Sequence, residues 1–329
     1  MKKVFIILFL LIISFNSLGK SIEKNFLVTN KEHEINCKIV FPDKKGVFPS
    51  ILIIHDSEIY DIDGNIDILE SNFLSTVLDE SKINILRRFL KKDSNLPIYK
   101  NVADELSKDF NVIRFEKRRN LDTDLIHEYT EDIIEIIKHI KKFESVNEKE
   151  IYILSHGQAS YLIESVTKKI EICGIIYLTP YLLPHFEQIE YYMNYQIHYL
   201  NKILKKKKDI EESTKPILKK LEEITRLKNN KTVFNEEYLI LGYNAKSHFD
   251  WHNFSQNISN FIFNSNINSL IIMGESDFIS PSELIKKFNT EKSYIKVVEY
   301  KNMGHFLDNN LKLDGRISKE IKQWVINKN

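Results

Sequence analysis

A hydroxyl, a carboxylate and an imidazole stand at the ends of three predicted strands. Ser155, Asp277 and His305 each lie at or just past the carboxyl end of one of these strands. Serine hydroxyls act as nucleophiles, and carboxylates and imidazoles act as general acids and bases. The residues also have ordinary interpretations, because Asp277 could cap the helix predicted at 280–288 and His305 could simply lie in a loop.

The segment "HFDWH" suggests a second kind of chemistry. His248 and His252 are four positions apart, with Asp250 between them. In a helix this spacing places two imidazoles on one face, where they can bind a metal. No definite third ligand is evident, and short motifs of this kind often arise by chance. We therefore predict no metal and no cofactor.

Alternating strands and helices must position these residues. Apolar, β-branched runs bounded by turn residues predict the strands, and a stripe of isoleucines over 133–140 predicts an amphipathic helix. The predicted strands lie at 34–43, 49–58, 111–119, 151–154, 173–180, 269–277 and 294–300, and the predicted helices at 99–110, 127–145, about 158–169, 280–288 and 318–327. This alternation predicts a mostly parallel sheet with helices on both faces.

The alternation is interrupted from about residue 184 to residue 250. This stretch has the pattern of long charged helices, and it contains a lysine run at 205–208 and tyrosines at 191, 192, 195 and 199. We predict a helical insertion above the carboxyl ends of the strands, where such sheets bind ligands. The lysine run is most simply a solvated helix face, and the tyrosines pack on the core. A weak contact with a membrane surface is the alternative.

The start of the chain has the pattern of a secretory signal. Two lysines follow the first methionine, an apolar run extends from Val4 to Phe15, and small residues stand at Ser17 and Gly19. This pattern predicts a signal peptide over 1–19 and a periplasmic or secreted mature protein. An uncleaved anchor is the alternative, although the run is shorter than the ~20 residues that span a membrane.

The overall composition is that of an ordinary globular protein. The chain has 329 residues, 43% of them hydrophobic and 28% charged, and its formal net charge is +1. That charge gives no long-range field for a nucleic acid, so we predict no nucleic-acid partner. Cys37 and Cys173 are the only cysteines. We interpret them as buried and unpaired, with a disulfide as the alternative.

Five segments, in order, resemble the α/β-hydrolase family, in particular its extracytoplasmic esterase and peptidase-like branch. They are "ILIIHDSEIYDIDG", "NVIRFEKRR", "ILSHGQAS", "LIIMGESDFISP" and "YKNMGHFL". They are similar to the family's oxyanion loop, a basic strand end, the nucleophile elbow, the acid strand and the histidine loop. The resemblance implies one α/β-hydrolase domain over 20–329. It also implies the order nucleophile, acid, histidine, which falls on Gly157, Asp277 and His305.

Three turns depart from the pattern of this family. Gly157 offers no side chain at the nucleophile's position, and Asp56 and Arg119 stand where the family has glycine. The resemblance implies an oxyanion loop that includes Asp56, Ser57 and Gln158. A carboxylate there would repel the negative charge that develops during acyl transfer. We predict an intact fold with a vacant elbow and impaired serine-hydrolase chemistry.

Two active alternatives remain open at this stage. In a register shifted by two residues, Ser155 is the nucleophile, but the β-branched Ile153 then occupies a turn position that needs a small residue. In the other alternative, His305 and Asp277 activate water in the space above Gly157. We rank a ligand-binding pseudoenzyme first and a serine esterase or peptidase-like hydrolase second. The predicted ligand is a small molecule, a lipid or a peptide, in a cleft that the insertion covers as a lid.

Overall fold

The computed structural model describes most of the chain that follows the predicted signal. The described residues are 22–57, 61–67, 95–118, 125–229, 239–241, 243–288, 292–307 and 313–327. The predicted signal peptide, residues 1–19, lies outside these described residues. So does Arg119, which stands where the resembled family has glycine. Within the described part of the chain, no helix is long and apolar enough to cross a membrane.

Ten strands are present in the described ranges. They are β1 (Ile22–Asn30), β2 (His33–Phe41), β3 (Phe48–Ile54), β4 (Asn65–Asp67), β5 (Asn95–Pro97), β6 (Asn111–Phe115), β7 (Val146–His156), β8 (Gly174–Leu178), β9 (Ser269–Gly274) and β10 (Ile295–Tyr300). Eight of them form one sheet in the order β1-β2-β6-β3-β7-β8-β9-β10, and β4 and β5 form a separate pair. β2 is antiparallel to both of its neighbours, and every other pair in the large sheet is parallel. The predicted mostly parallel sheet is confirmed.

The helices cover both faces of this sheet. They are α1 (Ile98–Leu106), α2 (Leu125–Ile140), α3 (Ile163–Thr167), α4 (His185–Ile203), α5 (Lys207–Asn229), α6 (Ala245–Phe254), α7 (Ile258–Asn264) and α8 (Arg316–Ile326). The predicted isoleucine stripe of α2 packs on one face of the sheet, together with α3 and α7. Helices α1 and α8 pack on the other face. The central strands are therefore buried on both sides, which explains their continuous apolar runs.

Two predicted helices differ in kind from the prediction. Residues Gly157–Leu162 and Ser282–Lys287 form 3₁₀ helices, and only Ile163–Thr167 continues the first of these as α-helix. A 3₁₀ helix is the tighter form that proteins use in short connections. The turn after β7 is therefore more compact than the predicted helix over 158–169, which brings its backbone close to the ends of neighbouring strands.

The predicted insertion contains three helices, α4, α5 and α6. Their apolar faces form a small core of their own, which includes Phe186, Met193, Ile217 and Ile224. The Gln188 side chain connects α4 to the loop after β9 by donating to the carbonyl of Ile279 at 3.1 Å. The insertion thus contacts the loop that follows Asp277.

The two cysteines are unpaired in the structure. Cys37 is buried in β2. The Cys173 thiol is within 3.2 Å of the Tyr152 hydroxyl. Neither thiol is near another sulfur, so neither cross-links the sheet.

Candidate active site

The carboxyl ends of four parallel strands bring the candidate residues together. Asp56 follows β3, Gly157 follows β7, Asp277 follows β9 and His305 follows β10. Because these strands are parallel, their carboxyl ends meet at one edge of the sheet. Among the four positions the three with side chains are at most 5% exposed. The site is therefore a buried cluster of polar groups.

Asp277 and His305 form a close pair. The Nδ1 atom of His305 lies 2.8 Å from an Asp277 carboxylate oxygen. The other Asp277 oxygen accepts the backbone N–H groups of Ile279 and Ser280 at 2.7 and 2.8 Å. These bonds fix the carboxylate in the turn after β9. The acid and the histidine that the sequence placed at strand ends are thus in contact.

A second carboxylate contacts the same imidazole from the opposite side. The Nε2 atom of His305 lies 3.1 Å from an Asp56 carboxylate oxygen. Burial lowers the pKa of His305, but the charge of Asp277 and hydrogen bonds to both carboxylates outweigh it and raise this pKa to about 10. Burial raises the pKa of Asp56, but the hydrogen bond and charge of His305 outweigh it and lower it overall. At neutral pH an imidazolium lies between two carboxylates.

The Asp56 carboxylate fills the space above Gly157. Gly157 has a φ of +53°, and a Cβ atom on it would lie 2.2 Å from one Asp56 carboxylate oxygen and 2.8 Å from the other. Heavy atoms that are not bonded cannot approach so closely. The sequence alone indicates a vacant space above Gly157, and the structure shows that this space is filled. Asp56 enters it from the neighbouring loop, and this is possible because residue 157 has no side chain.

Solved structures provide a comparison for the fold. The sequence matches no protein-family model and no curated protein. Est1E from Butyrivibrio proteoclasticus matches 92% of this chain and 98% of its own, with a TM-score of 0.54 and 14% identity. A thermophilic esterase from Thermogutta terrifontis matches 92% and 98%, with a TM-score of 0.52 and 13% identity. The α/β-hydrolase GrgF from Penicillium sp. sh18 matches 93% and 98%, with a TM-score of 0.52 and 12% identity. The chain has the α/β-hydrolase fold.

Two backbone N–H groups that border the elbow of this α/β-hydrolase fold are engaged by the protein itself. The N–H of Gln158 donates to the Asp56 carboxylate at 2.8 Å. The N–H of Asp56 donates to the Tyr99 hydroxyl at 2.9 Å. Lys117 holds the same loop by donating to the backbone carbonyls of Asp56 and Ser57, the second at 2.8 Å. Both N–H groups thus donate to side chains from other segments of the protein.

Tyr99 and His156 connect the Asp56 loop to the His305 loop. The Tyr99 hydroxyl lies 2.9 Å from Nδ1 of His156, and Nε2 of His156 lies 2.8 Å from the carbonyl oxygen of His305. Because a carbonyl only accepts, Nε2 carries the proton and Nδ1 accepts from Tyr99. Burial lowers the pKa of His156 to about 4, so its ring is neutral at pH 7. Neither residue is predicted from the sequence to belong to the site, and of the two only His156, next to Gly157, offers a signal.

Ser155 lies in β7, on the face of the sheet away from His305. Successive side chains of a strand point to opposite faces. The ring of the next residue, His156, packs on the His305 ring at 5.2 Å. The Ser155 side chain is fully buried, and its hydroxyl has no hydrogen-bond partner among the described residues. Both ring nitrogens of His305 already contact carboxylates.

A mostly apolar cavity of about 50 Å³ lies beside the buried cluster. Gln158 and Ser57 border it at the polar end, next to the Asp56 loop. The Tyr243 hydroxyl donates to the Gln158 side-chain oxygen at 3.0 Å. Aromatic and aliphatic side chains form most of the rest of its wall; they include Phe115, Tyr129, Ile133, Ala159, Leu162 and Trp251. Small-molecule sites have walls of this composition, but their volumes usually begin at about 300 Å³, so this cavity is smaller than most of them.

His248 and His252 both lie on α6 but bind different partners. Nδ1 of His248 is 2.9 Å from Nε2 of His185, and Nε2 of His248 is 2.8 Å from the Ile240 carbonyl. Nδ1 of His252 is instead 3.4 Å from a Glu187 oxygen. The two imidazoles therefore do not converge.

The described residues include one group with metal-binding spacing, formed by Asp56, His156 and His305. Their ligand atoms lie within 4.8 Å of one another. Both ring nitrogens of each histidine are already within hydrogen-bond distance of protein groups. Binding of a metal would replace these contacts, so the donor set fits a hydrogen-bonded cluster better than a metal centre.

Proposed function

We propose that this protein binds a ligand in the cavity beside Gln158 and has no serine-hydrolase activity. One observation carries the proposal: the Asp56 carboxylate occupies the place that a nucleophile's side chain would take above Gly157. A seryl hydroxyl cannot occupy the same volume. In this proposal the predicted small-molecule, lipid or peptide ligand enters beneath the insertion, which serves as a lid.

The charges of the cluster support the same proposal. A general base must accept the nucleophile's proton, and its pKa is most effective near the working pH. The pKa of His305, at about 10, leaves this imidazole protonated at pH 7. The negative charge of Asp56 also lies at the N–H of Gln158, where it disfavours a second negative charge. Both effects oppose acyl transfer at this centre.

The proposal includes a location outside the cytoplasm. The support is the lysine, apolar and small-residue pattern of residues 1–19. Cell fractionation of the native host tests it directly. A protein that starts at or near residue 20 in the periplasm or medium is expected. An intact amino terminus in the cytosol would contradict it.

Fluorophosphonate labelling tests the absence of serine-hydrolase activity. Such probes react with an activated serine hydroxyl, and activation needs a base within hydrogen-bond reach. We expect no labelling of the unmodified protein at pH 7, and no difference after Ser155→Ala. Rapid labelling that Ser155→Ala abolishes would instead show an ordinary serine hydrolase with an unusual elbow.

A substitution that fills the cavity tests whether a ligand binds there. Ala159 is 3% exposed and lines the cavity, so Ala159→Leu should place a larger side chain in it. We expect compounds from a fragment library that raise the melting temperature of the wild-type protein to lose this effect on Ala159→Leu. The matched control is Leu218→Ser, at a half-exposed leucine on α5 outside the cavity lining. Fragments that stabilise all three proteins equally would place the binding site elsewhere.

The position of Asp56 favours a second candidate function, in which Asp56 itself is the nucleophile. One of its oxygens contacts Nε2 of His305, as a seryl hydroxyl would. A carboxylate oxygen can attack an alkyl carbon, which forms an ester and expels the leaving group with its electron pair. His305 would first lose its proton to solvent. Water would then attack the ester carbonyl and transfer a proton to His305, and the imidazolium would return this proton to the departing alkoxide, which leaves as the alcohol and frees the Asp56 carboxyl group. Loss of the Asp56 charge in the ester would make His305 easier to deprotonate for this step.

Mass spectrometry separates the two candidates. The protein would be incubated with small alkyl iodides and epoxides, and its peptides would be mapped. A nucleophilic Asp56 predicts an alkyl adduct on this residue that Asp56→Asn lacks. A binding protein with a buried, ion-paired Asp56 predicts the same low background in both proteins.

A further inference from the structure

The turn between α4 and α5 concentrates positive charge at the protein surface. Five lysines stand within seven residues, and all are exposed: Lys202, Lys205, Lys206, Lys207 and Lys208. Lys207 and Lys208 lie 3.7 and 3.8 Å from glutamates one helical turn later. For the other three the described residues provide no ion pair. We call Lys202, Ile203, Lys205 and Lys206 the lysine tip.

The charges of this turn do not stabilise the helix that follows. Lys207 is the first residue of α5, and Lys205 and Lys206 precede it directly. The amino terminus of a helix carries a partial positive charge, so cations there are unfavourable. The formal net charge of the chain is only +1, so this density is a local feature. Lys202 lies in the last turn of α4, where a cation is favourable, but the stability of α5 does not account for Lys205 and Lys206.

An exposed apolar side chain lies among these lysines. Ile203, the last residue of α4, is 48% exposed. Its neighbour Leu200 packs inside the insertion, where it is 4% exposed. An isoleucine surrounded by flexible cationic side chains matches the boundary between lipid headgroups and acyl chains. A nucleic acid would use the lysines but not the isoleucine.

We propose that the lysine tip docks on an anionic phospholipid bilayer. The three unpaired lysines contact the headgroups, and Ile203 enters the interface. This inference is independent of the proposed function, because the lysine tip shares no residue with the cavity or the buried cluster. The attraction of three lysines to such a surface predicts about 100-fold stronger partitioning than to a neutral bilayer.

Vesicle co-sedimentation of the full-length protein tests the docking. Vesicles of phosphatidylcholine alone are compared with vesicles that also contain phosphatidylglycerol. The amino-terminal segment, which includes Lys2 and Lys3, is the same in the wild type and in every variant, so differences between these proteins do not come from it. We expect the anionic preference to be about 100-fold, to decrease with salt, and to be lost in the triple variant Lys202→Glu, Lys205→Glu, Lys206→Glu. Ile203→Ser should weaken binding several-fold without changing the salt dependence.

The matched control changes the same number of charges elsewhere. Lys45, Lys108 and Lys319 are exposed and outside the lysine tip, and their triple change to Glu should leave the preference intact. Equal losses in both triple variants would assign the effect to net charge and overturn the proposal. So would equal binding to the two kinds of vesicle. Competition by single-stranded RNA, together with no effect of Ile203→Ser, would assign the surface to a nucleic acid.

Discussion

The contribution of His305 to the stability of the protein is expected to fall as the pH rises from 7 to 9, by roughly 1 kcal/mol for each pH unit. The pKa of His305 is raised to about 10 in the fold, against about 6.5 for an unfolded histidine. In this window the folded chain keeps the imidazolium proton and the unfolded chain has lost it. The contribution is therefore fully present below pH 6.5 and is lost as the pH passes through 10.

Urea unfolding at pH 6, 7, 8 and 9 measures this slope. The control is His305→Gln, which cannot titrate, and the difference between the two proteins removes the contribution of thiols and other groups. Asp56→Asn should reduce the slope, because one of the two carboxylates that raise the pKa of His305 becomes neutral. Asp56 affects the stability at acid pH. Because its pKa is lowered in the fold, its contribution to stability is lost as the pH falls below about 4. Identical slopes in wild type and His305→Gln would contradict the imidazolium.

Gly157→Ser is expected to destabilise the protein by roughly 2–5 kcal/mol, and Asp56→Gly should recover the part of this loss that comes from the clash with the carboxylate. The new Cβ would lie 2.2 Å from an Asp56 carboxylate oxygen, and the φ of +53° is strained for any residue with a side chain. Removal of the Asp56 carboxylate leaves room for the hydroxyl and releases the N–H of Gln158. The two changes are therefore coupled.

A double-mutant cycle of unfolding free energies measures this coupling. Four proteins are compared: wild type, Gly157→Ser, Asp56→Gly and the double variant. Asp56→Gly alone should destabilise, because it leaves the buried imidazolium with one carboxylate. Fluorophosphonate labelling at position 157 should be strongest in the double variant. A double variant whose loss equals the sum of the single losses would show that the two sites are independent.

The sheet and most of its strands were predictable because their signals are local. β7 and β9 are buried on both faces, so the apolar runs around Ile153 and Ile271 indicated strands directly. Asp277 and His305 were predictable because parallel strands bring their carboxyl ends to one edge. β1 was missed, since it is an edge strand whose side chains are mostly exposed.

The position of Asp56 was not predictable from the sequence. Its substitution for a glycine was evident, but the direction of its side chain depends on tertiary contacts. Those contacts come from Gln158 and His305, which lie 102 and 249 residues away in the sequence. The hydrogen bonds of Tyr99 and His156 were unpredictable for the same reason. They join loops that are distant in the sequence, and such contacts leave no periodic pattern. Nothing in the sequence indicates that the glycine at position 157 makes room for the side chain of Asp56.

Nitrogen-15 NMR of the His305 imidazole tests most directly whether Asp56 has replaced the nucleophile as its partner. The spectrum is recorded from pH 6 to 9, with His305→Gln to assign the signals. Both ring nitrogens should carry protons through pH 8, as in an imidazolium held between the carboxylates of Asp277 and Asp56. The contradicting result is a ring that is neutral at pH 8, with no proton on Nε2 and a titration midpoint near pH 6.5. Such a ring could act as the base of an ordinary hydrolase, and it would not be held between two carboxylates.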